Sequence, residues 1–395
     1  MLEESEARRR ILESVSPGSV IWVPLELAAE QVLADGIIGV VDSPPFDNSS
    51  MDGYAVRAKE ISEGISLTVA AAVQAAGPDL DLELKSGEAI RIFTGAPIPR
   101  GADAVIMQED VERVGDQIRV RDAVEVGENI RRRGGDVCQG QRLLEAGQKL
   151  TPARIGLLAS QGIPEVPIYS KPLVQIVTTG DELVEPGAPL LAGEIYNSNA
   201  PMLQAAVSGV GAISEVTHAL DDQEELAETL GKALSTADLV VIAGGVSVGE
   251  KDFVKEVLTD LGVKMDFWRV RVKPGKPFLF GSHPDGTLVF GLPGNPVSAF
   301  VTFSLFVRPV IYRLLGHPES GESGRIEVSG KASEEMSNRG DRPHYLRGIQ
   351  DEQGIRLSGT QQSHAIYGLS KANCLIRLEP EQTVAAGDSV RVIPL

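Results

Sequence analysis

Residues 239–258 read LVVIAGGVSVGEKDFVKEVL, and the fold of the chain follows from this stretch. Residues 239–242 are an apolar run rich in β-branched side chains, which predicts a buried strand that ends at Gly244 and Gly245. Apolar residues then recur at helical spacing from Asp252 onward, so we expect a helix there. Glycines before a helix N-terminus expose backbone N–H groups that bind anions, and phosphate is the expected ligand.

A second stretch of the same kind lies at residues 288–298, which read LVFGLPGNPVS. It predicts a strand, a turn through Pro293 and Gly294, and a helix with Asn295 as N-cap and Pro296 in the first helical position. Because parallel strands end at the same edge of a sheet, we expect both glycine turns to face one crevice.

Between these two stretches, residues 273–277 read KPGKP. The prolines restrict the backbone and hold the ammonium groups of Lys273 and Lys276 in a short, stiff loop that suits an oxyanion. The whole chain carries a formal charge of −18 and a sequence pI of about 4.8, which excludes nucleic acid and anionic membranes as partners. An anionic ligand must therefore bind in a locally positive pocket.

Two other motifs nearly match the first glycine turn. Residues 244–249 have the spacing of a Walker A loop, but Glu250 stands where the lysine is required. Residues 245–249 also match the G-x-S-x-G elbow of α/β-hydrolases, with Ser247 as the nucleophile. A hydrolase also needs an acid and a histidine, and no later histidine has a distinctive context, so this is the least favoured alternative.

The composition indicates a cytoplasmic globular protein of several domains, because 395 residues are too many for one ordinary core. The only two cysteines, Cys138 and Cys374, form no C-x-x-C pair, and the five histidines form no zinc-ligand set. The N-terminus lacks the apolar core of a signal peptide, and the apolar residues 297–307 are too few to span a membrane.

The alternation of strand and helix patterns predicts an α/β plus β protein of four parts. Residues 1–45 with 129–170 form a mixed domain, and residues 46–128 form a small β domain. Residues 171–318 form a doubly wound α/β domain with a parallel sheet, and residues 319–395 form a C-terminal β domain.

The periodicity also places individual elements. In the mixed domain we expect helices at residues 25–34 and from residue 152, besides one at the N-terminus. The expected strands of the α/β domain are residues 173–177, 212–216, 239–242 and 288–290, and its helices are residues 200–207, 223–234, 252–261 and 295–315.

Carboxylates follow the strands of the α/β domain. Asp181 and Glu182 come after the first strand, Asp221 and Asp222 precede the second helix, and Asp252 precedes the third. An Asp at a helix start is usually only a cap. Since these loops share one edge of a sheet beside a phosphate site, the carboxylates also predict bound Mg²⁺.

Six longer motifs carry a resemblance: residues 48–55 (NSSMDGYA), 94–97 (TGAP), 179–183 (TGDEL), 244–250 (GGVSVGE), 273–277 (KPGKP) and 291–298 (GLPGNPVS). Together and in this order, they resemble the signature set of the molybdopterin molybdenumtransferases. This is the bacterial MoeA family, to which the E domain of gephyrin is similar. The resemblance extends over nearly the whole chain.

The resemblance implies an elongated mixed domain, a molybdopterin-binding-like α/β domain and a β-barrel-like C-terminal domain. It also implies a homodimer, whose active cleft lies between the α/β domain of one chain and the small β domain of the other. The implied reaction joins molybdate to adenylylated molybdopterin and yields molybdenum cofactor and AMP, with Mg²⁺ required.

The family's site residues carry over onto matching positions. Glu182, Asp221 and Asp252 would bind the metal and the phosphoanhydride, and Asp52 and Thr94 would line the opposite wall. Asp52 and the three metal-binding carboxylates are the implied catalytic groups. Molybdate would be held by Lys273, Lys276, Ser298, Arg347 and Ser363. The turns would contribute the remaining substrate-binding residues Gly244, Gly245, Ser247, Gly249, Pro293, Gly294 and Asn295.

Two further alternatives accompany this resemblance. One is the adenylyltransferase that precedes this enzyme in the pathway, but that protein has a Thr between its glycines, where this chain has Val246 and Ser247. The other is a non-catalytic scaffold of the gephyrin E type. The protein partners implied are the upstream adenylyltransferase and the apoproteins of molybdenum enzymes.

Overall fold

A computed structural model of the chain describes residues 1–245, 253–317 and 327–395. Its three large sheets have six, six and five strands. The first lies in residues 46–128, the second in the α/β part and the third at the C-terminus, which confirms the predicted fold class. The boundaries drawn between the domains stay predictions.

The sheet of the α/β part is built around four parallel strands, in the order Ile213–Ala219, Leu173–Thr179, Leu239–Ala243 and Leu288–Leu292. Every residue of the last two strands is buried, as expected of strands covered by helices on both faces. These are the four strands that the sequence predicts. The sheet continues with two antiparallel strands that the sequence pattern does not predict, Leu279–Ser282 and Lys264–Trp268.

Helices cover both faces of this sheet, so the doubly wound arrangement is confirmed. Gln223–Thr236 and Val254–Asp260 contribute Leu226, Leu230 and Leu258 to the core on one face. Asn199–Gly209 packs on the other face together with a long apolar helix.

The long helix consists of Pro296–Thr302, a π-helical segment Phe303–Val307 and Arg308–Leu314. At 19 residues the whole helix is long and apolar enough to cross a membrane by length and composition alone, whereas its residues 297–307 by themselves are too few to do so. However, 72% of its most apolar window is buried inside the protein. The helix is therefore part of the core of the α/β part.

The small β region, residues 46–128, forms a six-stranded sheet, as expected of the predicted β domain. Across its sheet the order is Ala104–Met107, Gly53–Val56, Glu88–Ile92, Ser66–Gln74, Gln117–Val120 and Val111–Val114. Gly53 has to be glycine, because a Cβ there would lie 1.9 Å from the Ile106 carbonyl oxygen. Asp52 directly precedes this strand, Gly53–Val56.

The mixed region contains the predicted helices Glu4–Glu13 and Pro152–Ser160, but the helix predicted at residues 25–34 was wrong. Only a 3₁₀ turn, Leu25–Leu27, forms there. The backbone of the next residues pairs with a distant segment instead: the Leu33 N–H donates to the Gln148 carbonyl at 3.0 Å, and the Leu150 N–H donates to the Gln31 carbonyl at 2.7 Å. The strands of this region are Leu2–Glu3, Val20–Pro24, Ile37–Ile38, Ile130–Arg131, Arg142–Leu144 and Glu165–Tyr169. Ile130–Arg131 pairs with the short strand Asn48–Ser49 of the small β region.

The C-terminal sheet is antiparallel, in the order Val328–Lys331, Ser389–Pro394, Cys374–Leu378, His344–Asp351 and Gly354–Leu357. The helix Ile366–Lys371 accompanies it. The remaining described strands are short: Leu183–Val184 with Ile195–Tyr196, Val270–Arg271, and Met336–Ser337 with Thr383–Val384.

A buried polar network ties this C-terminal sheet to the N-terminal helix. The Tyr345 hydroxyl donates to Glu4 Oε2 at 2.7 Å, and Arg377 Nε donates to the Tyr345 hydroxyl at 3.1 Å. Arg8 Nη1 donates to the other oxygen of Glu4 at 3.2 Å. A buried carboxylate is tolerated only when it is paired and hydrogen-bonded, and these contacts satisfy Glu4.

Candidate functional site

The two glycine turns lie side by side at the carboxyl ends of the parallel strands. Gly244 has a left-handed φ of 108°, and a Cβ there would lie 2.6 Å from the Thr179 carbonyl oxygen. Its N–H donates to the Leu292 carbonyl at 3.2 Å. A Cβ on Gly294 would lie 3.8 Å from Gly244 Cα. The turns thus share one edge of the sheet, as the sequence predicts, and glycine at position 244 permits the tight packing against Thr179.

The second turn is held in place by Asn199, whose Nδ2 donates to the Gly294 carbonyl at 2.7 Å. Pro293 is buried, whereas Gly294 and Asn295 are exposed. Asn295 occupies the predicted N-cap position, but its side chain makes no capping hydrogen bond within the described residues. Its amide therefore remains available to a ligand.

Three of the predicted site residues, Ser247, Gly249 and Asp252, lie outside the described residues. Their roles stay predictions. Gly245, the last described residue before them, has a φ of 60°, and a Cβ there would lie 2.6 Å from Val254 Cγ2. The start of the turn is therefore packed tightly against the helix that follows.

The carboxylate loops after the first two parallel strands are in contact, because the Asp221 N–H donates to Asp181 Oδ1 at 3.0 Å. Asp222 is the helix cap: its Oδ1 accepts from the Glu224 and Glu225 N–H groups at 3.1 Å and 3.0 Å. Asp221 is therefore not needed as a cap. The carboxylate of Glu182 folds back over Gly180, where a Cβ would lie 2.6 Å from Glu182 Oε2.

These carboxylates do not form a complete metal site within the described part of the chain. There, no three Asp, Glu, His or Cys side chains lie close enough together to hold an ion. Of the predicted ligand set, Glu182 and Asp221 are described and Asp252 is not.

A cleft of about 630 Å³ brings the predicted molybdate residues together. Lys273, Lys276, Ser298 and Ser363 all line it. The other lining residues are Pro274, Gly275, Pro277, Arg342, His344, Gln361, Gln362 and His364. None of these described lining residues is an Asp or a Glu, so the cleft is positive in a protein whose formal charge is −18.

The cleft is assembled by backbone hydrogen bonds between distant stretches. The Lys273 N–H donates to the Pro343 carbonyl at 2.9 Å, and the Tyr345 N–H donates to the Lys273 carbonyl at 2.7 Å. At the start of the long helix, the Val297 N–H donates to the Ser363 carbonyl at 3.2 Å. These bonds join the lysine loop, the long helix and the C-terminal part around one space.

Arg347 is fully buried beside the cleft and is not one of the residues that line it. Its Nη2 donates to the Thr360 carbonyl, and its backbone N–H donates to Gln361 Oε1 at 2.8 Å. Its Nε and Nη1 have no hydrogen-bond partner in the described part of the chain. Each buried donor without a partner lowers the stability of the fold by about 1–3 kcal/mol. An oxyanion bound nearby would supply the acceptor oxygens that these two nitrogens lack.

The sequence analysis missed Arg342, His344 and Gln361 as cleft residues. Arg342 and His344 precede Arg347 in the same short stretch, and Gln361 precedes Ser363 by two positions. The only indication in the sequence was that these three residues lie close to the predicted site residues Arg347 and Ser363. Which neighbours face the cleft depends on the tertiary contacts of the C-terminal sheet.

The predicted opposite wall is a separate cluster in the small β region. Asp52 Oδ1 accepts hydrogen bonds from the Thr94 N–H and the Thr94 hydroxyl, both at 2.8 Å. These bonds, with the charge of Arg91, lower the pKa of Asp52 below its ordinary value, so this carboxylate is ionised at neutral pH. No described residue lining the lysine cleft comes from residues 46–128 of the same chain.

Comparison with known proteins gives one consistent result. Residues 2–162 match the MoeA N-terminal region (domain I and II), residues 175–313 match a probable molybdopterin binding domain, and residues 329–395 match the MoeA C-terminal region (domain IV). The chain is 40% identical to a molybdopterin molybdenumtransferase of Haemophilus influenzae, over 100% of this chain and 98% of that protein. It is 37% identical to molybdopterin molybdenumtransferase 2 of Mycobacterium tuberculosis, over 99% of each.

A solved structure shows the same similarity in three dimensions. A molybdopterin biosynthesis MoeA protein from Pyrococcus horikoshii superposes with a TM-score of 0.82 at 30% sequence identity, covering 100% of both chains. The similarity therefore includes all parts of the fold.

The geometry of the lysine loop predicts the effect of Gly275→Ala. Gly275 has a φ of 111°, and a Cβ there would lie 2.4 Å from Thr302 Cγ2 in the long helix. The loop must shift to relieve this contact, which displaces Lys273 and Lys276, and overpacking of this kind costs about 1–3 kcal/mol. We expect a folded protein with weakened molybdate binding in calorimetric titrations.

Gly286→Ala is the matched control. Gly286 has a similar φ of 100°, but no atom lies within 4 Å of its added Cβ. It should share the cost of the left-handed backbone and keep molybdate binding. Equal molybdate affinities in the two variants would contradict the assignment of the loop.

Proposed function

The chain belongs to the MoeA family of molybdopterin molybdenumtransferases, and we propose that it inserts molybdenum from molybdate into adenylylated molybdopterin, releasing molybdenum cofactor and AMP. The family and the enzyme class predicted from the six motifs are confirmed by relatives that match over the full length of the chain. The serine-hydrolase alternative depended only on the match of residues 245–249 to a nucleophile elbow with Ser247. Because the full-length relatives are molybdopterin molybdenumtransferases, we set this alternative aside.

The observation that carries the proposal is the charge of the cleft. Lys273, Lys276 and Arg342 line it without any carboxylate among the described lining residues, and Arg347 lies buried behind it with two unpaired nitrogens. Molybdate is a tetrahedral dianion, and several fixed donors are needed to take it from water. The cleft supports binding of such an anion despite the net negative charge of the protein.

The glycine turns supply the second half of the proposed site. Release of AMP breaks the phosphoanhydride linkage, and negative charge accumulates on the departing phosphate. Backbone N–H groups at a helix N-terminus stabilise such charge without reorganisation. We assign this role to the adjoining turns at Gly244 and Gly294, with Asn295 as an available amide.

Mg²⁺ would be held by Glu182, Asp221 and Asp252. The donor set fits the ion, because carboxylate oxygens are the ligands that Mg²⁺ takes from proteins, and the loops of Glu182 and Asp221 are in contact through Asp181. When bound, the ion would neutralise charge on the phosphate.

Glu182→Gln and Asp221→Asn should each slow AMP release by about a hundredfold, because each removes one electrostatic contribution to the reacting phosphate. The rate is measured as AMP released from adenylylated molybdopterin at increasing Mg²⁺. Asp222→Asn is the control, since Asn caps a helix as well as Asp does, and it should retain the wild-type rate. Wild-type Mg²⁺ dependence in both test variants would remove the metal assignment.

Lys276→Ala should raise the molybdate concentration needed for half-maximal turnover by about 10- to 100-fold, as expected for loss of a charged hydrogen bond. Saturating molybdate should restore most of the rate. Lys331→Ala removes the same charge from the C-terminal sheet, away from the cleft, and should change nothing. An unchanged molybdate dependence in Lys276→Ala would place the anion elsewhere.

The active form is proposed to be a homodimer, with Asp52 and Thr94 of one chain facing the cleft of the other. The proposal is supported by the separation of the two clusters, since no described cleft residue comes from the small β region of the same chain.

Subunit mixing tests this arrangement. Asp52→Asn and Lys276→Ala are assayed at a low molybdate concentration, at which each variant disables both sites of its own dimers. In a mixed dimer, one site combines the intact Asp52 of one chain with the intact Lys276 of the other. An equal mixture should therefore regain about one quarter of wild-type activity, because half of the dimers are mixed and each has one intact site. If the mixture stays inactive while mixed dimers form, the site lies within one chain.

The predicted partners and compartment remain proposals as well. An upstream adenylyltransferase and molybdenum-enzyme apoproteins would deliver the substrate and accept the product, which affinity capture with each purified protein would test. The cytoplasmic location would be tested by cell fractionation.

A further inference from the structure

His344 is the one histidine that is both buried and part of the cleft wall among the described residues. It begins the strand His344–Asp351, lines the cleft and is 6% exposed. Its neighbours in sequence hold it there, because Pro343 accepts from the Lys273 N–H and Tyr345 donates to the Lys273 carbonyl. The ring is thus anchored on both sides to the lysine loop.

The Nε2 atom of His344 is buried and has no hydrogen-bond partner in the described part of the chain. A buried polar atom without a partner is costly, and such atoms usually mark a missing ligand or water. The Nε and Nη1 atoms of Arg347, in the same strand, are in the same state. Of these two residues, only His344 lines the positive cleft.

The protonation state of the ring follows from its surroundings. Burial, followed by the positive charges of Lys273, Arg347 and Arg342, lowers the pKa of His344 to about 4. The ring is consequently neutral at pH 7 and carries one N–H. The charged nitrogens of Lys273, Lys276 and Arg342, which line the cleft, can only donate, so a ligand that binds there presents acceptor oxygens. Next to such an oxygen, Nε2 is the ring nitrogen that carries the hydrogen.

We propose that His344 is a further substrate-binding residue, whose neutral ring donates the Nε2–H to an oxygen of molybdate in the cleft. This inference rests on the proposed function, and it adds a residue that favours molybdate over inorganic phosphate. A fully deprotonated oxyanion can accept a hydrogen bond from every donor that lines the cleft. Hydrogen phosphate, the major form of inorganic phosphate at neutral pH, directs an O–H into the same space and fits less well.

Three variants test the role. His344→Leu removes the donor, His344→Gln keeps an N–H in a similar place, and His364→Gln changes the other histidine of the cleft, which is exposed. Each full-length protein is titrated calorimetrically with molybdate alone and with inorganic phosphate alone. The KM for molybdate and the kcat of AMP release are then measured.

His344→Leu should raise the Kd for molybdate about tenfold, as expected for one hydrogen bond to a charged acceptor, while His344→Gln should stay within about threefold of wild type. The loss should appear in the KM for molybdate and much less in kcat. The Kd for inorganic phosphate should change less than that for molybdate, and His364→Gln should behave as wild type.

Wild-type molybdate affinity in His344→Leu would overturn the inference and leave the proposed function standing. Equal loss in His344→Leu and His344→Gln would also overturn it, because that result indicates packing and not donation. If the wild-type chain itself fails to bind molybdate, the oxyanion cleft is wrong, and the role of His344 falls with it.

Discussion

Binding an oxyanion to a protein with a formal charge of −18 is the constraint on which the arrangement of this molecule depends. The overall field opposes such a ligand, so attraction must come from donors held close together in a place free of carboxylates. The cleft meets this requirement with Lys273, Lys276 and Arg342 on its surface and Arg347 buried behind it. The acidic loops at Asp181 and Asp221 follow other strands, where a cation would offset them.

The donors come from stretches far apart in the chain, so tertiary contacts have to position them around the cleft. Lys273 is joined to the C-terminal strand on both sides by backbone hydrogen bonds, and Val297 is joined to Ser363. The same C-terminal strand carries Tyr345, which reaches the buried Glu4 of the N-terminal helix. Stability and function are thus coupled, because the contacts that bury Glu4 also fix the strand that carries His344 and Arg347.

The sequence predicts those features that local residues decide. Two strand–glycine–helix stretches and the apolar strands of the parallel sheet have strong patterns, and all four strands form. The helix at residues 25–34 fails because that backbone pairs with the segment around Gln148 and Leu150. The antiparallel strand Lys264–Trp268 and the cleft residues Arg342 and His344 are set by contacts between distant stretches, which no local pattern reports.

The most direct test is the position of a heavy tetrahedral oxyanion in crystals of the full chain, with tungstate standing in for molybdate because tungsten scatters anomalously. The account predicts one strong anomalous peak in the cleft, with oxygens within about 3 Å of Lys276 and of His344 Nε2. A peak at the Gly244 turn, with none in the cleft, would contradict it.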